Sequence, residues 1–276
     1  MCIPLSFKAY SNMKTLKILK KIFEPLTVIN RQTVILLVII QACIALAFWQ
    51  LRGGGLIPKP THVLESLLRT LTSADFLDNF FSSLTLTLQG MGFSIAIALV
   101  ISYLSLIPFF NPIAHFIIKC RYLTLTGLIF LFTLLTDNGH ELKISLLIFG
   151  IVPFFVTSLL SIVENINKQE YELCKTLRMN NWRTLLEVVV IGRLDQVFEV
   201  MRQNFAIAWM MITMVEGLSM SEGGLGTMLI KSNKYIDLGT VFSILIIIFS
   251  LGIFFDFLLG QLRYWLFPYT KLEKSK

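Results

Sequence analysis

Apolar runs about as long as the hydrocarbon layer of a bilayer recur along this chain, and they leave few folds open. Thr33 to Leu51 is 19 residues with no Asp, Glu, Lys or Arg, close to the roughly 20 that a helix needs to cross. Further runs lie at Leu84 to Pro108, Tyr122 to Thr136, Ile144 to Ile162, Leu194 to Val215 and Leu238 to Leu259. Backbone in hydrocarbon must satisfy its own hydrogen bonds, so runs of this length read as helices. The expected fold is all-α: a polytopic membrane protein with six transmembrane helices. Composition agrees, because 55% of the 276 residues are hydrophobic, against about 45 to 50% in a soluble domain even with glycine counted. The fifth run is the least regular. It carries Asp195, Glu199 and Arg202 in its first half, and only Phe205 to Val215 is strongly apolar.

The first run has the A-x-A look of a signal cleavage site at Ala45-Leu46-Ala47. However, 32 residues precede it, and Phe48-Trp49 forms an aromatic belt at its end, so it reads as a retained helix. Charge orients the bundle. Seventeen Lys and Arg fall in the segments on the side of the termini, against six on the other side: Arg52, Lys59, Arg69, Lys143, Lys231 and Lys234. The positive-inside rule therefore puts both termini, and the segment before the fifth run, on the cytoplasmic side of the membrane. The net charge of +7 comes with no RNP, zinc or basic-zipper pattern, so it reads as membrane orientation and nucleic acid is excluded as a partner. Met13 to Leu26 alternates Lys with apolar residues at helical spacing, which suits an interfacial helix on membrane lipid or a basic topology signal.

Cys2, Cys43, Cys120 and Cys174 form no CxxC or Cys/His pattern, and His62, His115 and His140 are dispersed. The sequence thus offers no metal set, no catalytic set and no cofactor. Gly53-Gly54-Gly55 is followed by no GKS or GKT, so it is a link and not a phosphate loop. The intramembrane charges Asp195, Glu199 and Arg202 are spaced to pair along one helical face. Asp256, near the end of the sixth run, is expected to meet Arg263 of a basic tail.

Between the fourth and fifth runs lies Tyr171 to Gly192, YELCKTLRMNNWRTLLEVVVIG. Apolar residues at Leu173, Leu177 and Trp182, then Leu185, Leu186 and Val189, predict two short amphipathic helices with a turn over Arg178 to Asn181. Asn180 or Asn181 is the expected N-cap of the second helix. This stretch resembles the EAA loop of binding-protein-dependent ABC importer permeases, with Glu172 at the acid, Leu173 and Cys174 at the two alanines, and Val188 and Val190 at the late aliphatic positions. Arg178 stands where that family has glycine and Ile191 where it has proline, so the backbone at Arg178 is expected to differ from the family's.

Other features fit the same family. Ile57-Pro58-Lys59-Pro60-Thr61-His62-Val63-Leu64 resembles the proline lead-in of its nitrate, sulfonate and taurine branch. Val215-Glu216 followed by Glu222-Gly223-Gly224-Leu225-Gly226 resembles its A-E and G-L-G outer loop, where glycines permit sharp turns and close packing.

The resemblance implies a type I importer fold with a basic segment at 1–32, a permease domain at 33–267 containing a coupling loop at about 164–193, and a basic tail at 268–276. It implies a permease for a small solute, such as the anions nitrate or a sulfonate, or taurine. ATP hydrolysis would belong to partner ATPase subunits, with a substrate-binding protein outside and a second permease copy in a homodimer. Glu172, Leu177, Arg178, Met179, Asn180, Trp182, Arg183 and Leu185 would meet the ATPase, and Glu216, Gly223, Gly224 and Gly226 would shape a gate or outer loop. The alternative is an ion-coupled secondary transporter working through Asp195, Glu199 and Arg202.

Overall fold

The computed structural model describes residues 30–53 and 57–269, and the expected interfacial helix at 13–26 lies outside them. Every regular element among the described residues is helical. The chain divides into two units, the first ending at Thr61. The first unit holds α1, Arg31–Arg52, whose apolar residues are exposed along its length. After it, the Trp49 indole donates to the Pro58 carbonyl at 3.1 Å.

The second unit is built on α3, Ala74–Leu104, and α6, Gly139–Glu164. On α3 the residues Ser83, Thr87, Gly90, Ser94, Ala98 and Ser102 form one buried small-residue face. Such a face lets two backbones approach where no hydrophobic effect between helices is available in lipid. Gly90 lies so close to Leu147 of α6 that a Cβ would overlap it. Thr87 and Ser94 each donate to the carbonyl four residues back at 2.7 Å, so those two hydroxyls are paired, while the buried hydroxyl of Ser102 has no hydrogen-bond partner. From α6, Leu146, Leu147, Ile151, Phe155 and Val156 pack fully buried into the core.

Around this pair lie α2, Pro60–Thr72; α4, Asn111–Lys119; α5, Leu125–Leu135; and α9, Leu194–Leu218. The last two long elements are α10, Leu225–Lys234, and α11, Leu238–Leu266. α2 meets α11 where Ser243 donates to the Val63 carbonyl at 2.9 Å.

Several expected boundaries move. α3 begins ten residues before Leu84 and ends at Leu104, short of Pro108 and of Asn111-Pro112. That dipeptide starts α4 instead, with proline in the first turn, where a missing N–H is harmless. The single third span over 122–136 is not formed: α5 has 11 residues, is preceded by extended Leu123 and Thr124, and bends by 113° from the helical segment before it. At 1.5 Å per residue it is too short to cross alone. Lys143, expected in a connector, lies inside α6 and is 1% exposed. Arg263, expected in the tail, lies on α11. Among the described residues, four helices are long and apolar enough to cross a membrane, or five if the bent pair is one span. α9 has the length at 25 residues, but its first half carries the charges already noted.

Candidate functional site

The stretch between α6 and α9 folds as the hairpin expected from its periodicity. Its first arm is α7, Lys168–Thr176, capped by Asn167, whose side chain accepts from the Gln169 amide at 3.3 Å. Its second arm opens with α8, Asn181–Thr184, and continues as a π-helix over Leu185–Val190 and a 3₁₀ turn over Ile191–Arg193. Asn180 occupies the N-cap position but makes no side-chain cap bond. The capping expected there is positional only.

The turn itself corrects the expectation for Arg178. The Arg178 amide donates to the Lys175 carbonyl and the Met179 amide to the Cys174 carbonyl, both at 3.0 Å, with Arg178 at φ 54°. These two bonds and the left-handed residue make a Schellman cap, which glycine usually completes. Arg178 thus adopts the backbone that a glycine would adopt, at a cost of about 1 to 2 kcal/mol for its Cβ.

Glu172, Leu177, Arg178, Asn180, Trp182 and Arg183 are exposed, whereas Met179 and Leu185 are half buried. Leu185 turns inward, with Tyr171 and Leu106, onto a cavity of about 270 Å³. The outward apolar set is Leu173, Leu177, Trp182 and Leu186, between 53% and 64% exposed. Beneath it, burial raises the Tyr171 phenol above its ordinary range, so it is neutral at physiological pH.

At the other end of α9, Glu216 is fully buried and its carboxylate is enclosed by donors. Ser83 donates from α3 at 2.7 Å and the Gly226 amide donates at 2.8 Å. The carboxylate therefore sits at the N-terminus of α10, where open amides and the helix dipole favour a negative charge. Ser83 also accepts from the Leu225 amide at 2.8 Å, and Asn79 accepts from the Gly224 amide at 2.7 Å. Gly223 and Gly224 have φ of 76° and 112°, which admit glycine readily. A Cβ on Gly224 would overlap the Glu216 carboxylate, and one on Gly226 would overlap the Thr213 backbone. The structure so brings Glu216, Gly224 and Gly226 into one knot. Beside it, the two ring nitrogens of His140 face Glu222 at 2.9 Å and Gln89 at 3.0 Å. Ser83, Asn79 and Gln89 carried no sequence signal: Asn79 and Ser83 lie just before the apolar run that starts at Leu84, Gln89 lies within it, and all three are common polar residues.

The charged group of α9 faces α11. Arg202 pairs with Glu199 at 2.7 Å and with Asp256 at 2.8 Å. Arg263 pairs with Glu199 at 2.6 Å and lies 4.0 Å from Asp195. Asp256 thus meets Arg202 and not Arg263: Arg263 reaches back one turn further along α9. The five groups, three carboxylates and two arginines, form one ion-pair network across two helices.

Residues 66–265 match the family of binding-protein-dependent transport system inner membrane components. The chain belongs to that family. No curated protein matches it. Membership makes this chain an inner-membrane, multi-pass permease component of an ABC transport system, with ATP hydrolysis in a partner ATPase and a binding protein as the other family partner.

Proposed function

We propose that this permease forms the path for a small solute through six membrane crossings, with α9 as the fifth and the bent α4–α5 pair as the third, and with both termini in the cytoplasm. The hairpin built from α7 and α8 is the surface on which the ATPase docks. The observation that carries this reading is the outward set of Leu173, Leu177, Trp182 and Leu186 at the tip of an otherwise polar hairpin. A cluster of large apolar side chains left in water fits a partner surface. Glu172, Arg178 and Arg183 flank it and set the polar register. A second copy of the chain completes the path.

The branch resemblance supports a small anion, such as nitrate or a sulfonate, or taurine as the solute. Ion coupling through α9 is the weaker reading, because Glu199, Arg202 and Asp256 are all engaged in ion pairs.

The test is what co-purifies with the detergent-extracted chain: an ATPase subunit is expected, lost on Trp182→Ala. Retention of the ATPase by that variant overturns the docking assignment. For topology, a cysteine at Lys59 is expected to react with an impermeant thiol reagent from outside intact cells and one at Asn180 to be protected. The opposite pattern reverses the orientation.

A further inference from the structure

The exit of the hairpin is its mechanical weak point. From Leu185 to Arg193 the backbone is π-helical and then 3₁₀, so nine residues between α8 and α9 lack the regular i→i−4 ladder. Such a joint bends more readily than an α-helix. A push delivered at Trp182 would be absorbed there before it reached α9.

One side-chain contact bridges the joint. Arg193, the last residue of the irregular segment, donates from Nη2 to Glu170 Oε1 at 2.5 Å, and Glu170 lies in the first turn of α7. The pair closes the hairpin at its base across 23 residues. The Arg193 side chain is 20% exposed, and its Nε is buried without a hydrogen-bond partner. Glu170 is the acid within ion-pair reach, so deleting it leaves a largely buried cation uncompensated. Two residues after Arg193 comes Asp195, and with it the network of Glu199, Arg202, Asp256 and Arg263 that ties α9 to α11.

We infer that the Glu170–Arg193 pair is the strut that carries motion of the docked hairpin into α9 and α11, bypassing the π-helical joint. This rests on the proposed docking of the ATPase to the hairpin. Both are positioning residues. Glu170 sits at the start of α7, away from Leu177 and Trp182 at the tip, so docking and transmission are separable.

The experiment uses the complex of the full chain with its ATPase in lipid vesicles. The four native cysteines are replaced by serine, and an environment-sensitive dye is attached at Met210→Cys, an exposed position on α9. ATP is the probe. Glu170→Gln and Arg193→Gln are expected to keep the ATPase bound and to lower the ATP-induced dye response at least fivefold. The reversed pair, Glu170→Arg with Arg193→Glu, is expected to restore at least half of it. Single variants with the full response overturn the strut, and so does a reversed pair that stays silent while the ATPase remains bound. Loss of ATPase binding in the single variants also overturns it, since the pair would then shape the docking surface. If the unsubstituted chain binds no ATPase, the docking reading itself fails, and the strut with it.

Discussion

The two ends of α9 solve opposite problems. At the Glu216 end an acidic group is fully buried and its hydrogen bonds come from within the chain: Ser83 from α3 and Gly226 from the start of α10. At the Arg193 end the charges are paired but partly exposed, and the hairpin beyond them leaves four large apolar side chains uncovered by the chain. One end is closed on itself and the other is left to be completed by something else. Substitutions at the first should therefore cost stability, and substitutions at the second should cost association.

The largest expected effect is at the closed end. Glu216→Ala removes the acceptor of the Ser83 hydroxyl and the Gly226 amide, both buried, and each unsatisfied donor costs about 1 to 3 kcal/mol. A loss of about 3 kcal/mol is expected in detergent-solubilised unfolding, with Glu216→Gln losing less because its carbonyl still accepts one bond. Unchanged unfolding in Glu216→Ala would erase the contrast between the ends.

Next comes Trp182→Ala at the open end. With the indole 63% exposed, folding stability should barely change, while affinity for the ATPase falls about 30-fold, or about 2 kcal/mol. A titration of ATPase against the reconstituted chain measures this. A drop in unfolding temperature with intact affinity would make Trp182 part of the core and not of a docking surface.

How much of this contrast was legible in the sequence depends on what hydropathy and periodicity can encode. The hairpin was legible because Leu173 and Leu177, and then Trp182, Leu185, Leu186 and Val189, repeat at helical spacing on either side of a turn. So was the helix at Leu238, because its apolar run is long and unbroken. The α3 boundary was not. Asp75, Asp78 and Asn79 lower local hydropathy, yet Asn79 is bonded to Gly224, so the helix extends through a polar residue whose partner lies 145 residues away. Lys143 misled in a similar way: a lone lysine reads as an exterior marker, and nothing local announces that it is fully buried within α6. Glu216 itself was visible only through resemblance. The bonds that explain it come from Ser83, a residue type too common to single out.

A smaller effect sharpens the open end. Arg178 holds a left-handed backbone at the Schellman turn, and Arg178→Gly relieves the strain of its Cβ, an expected gain of about 1 kcal/mol in local stability. Hydrogen exchange at the Arg178 and Met179 amides, the two donors of the cap, should slow about fivefold. Equal or faster exchange would mean that the arginine side chain contributes to the turn more than its Cβ costs it.

The smallest effect returns to the closed end, at the start of α11. Asp237 caps this helix, accepting from the Thr240 hydroxyl at 2.7 Å and the Thr240 amide at 3.2 Å. The hydroxyl bond foremost holds its carboxyl below the ordinary range. A carboxyl with a lowered folded pKa binds its proton less readily in the native state than in the unfolded one. Its contribution is thus fully present above the unfolded value of about 3.9 and is lost as pH falls through the folded value. Because Asp237 is exposed, solvent screening limits the effect to a few tenths of a kcal/mol. The unfolding temperature of the native chain should lie slightly above that of Asp237→Asn at pH 7, and the gap should close below about pH 4. A gap that persists in acid would assign the cap to hydrogen bonds that do not depend on the charge of Asp237.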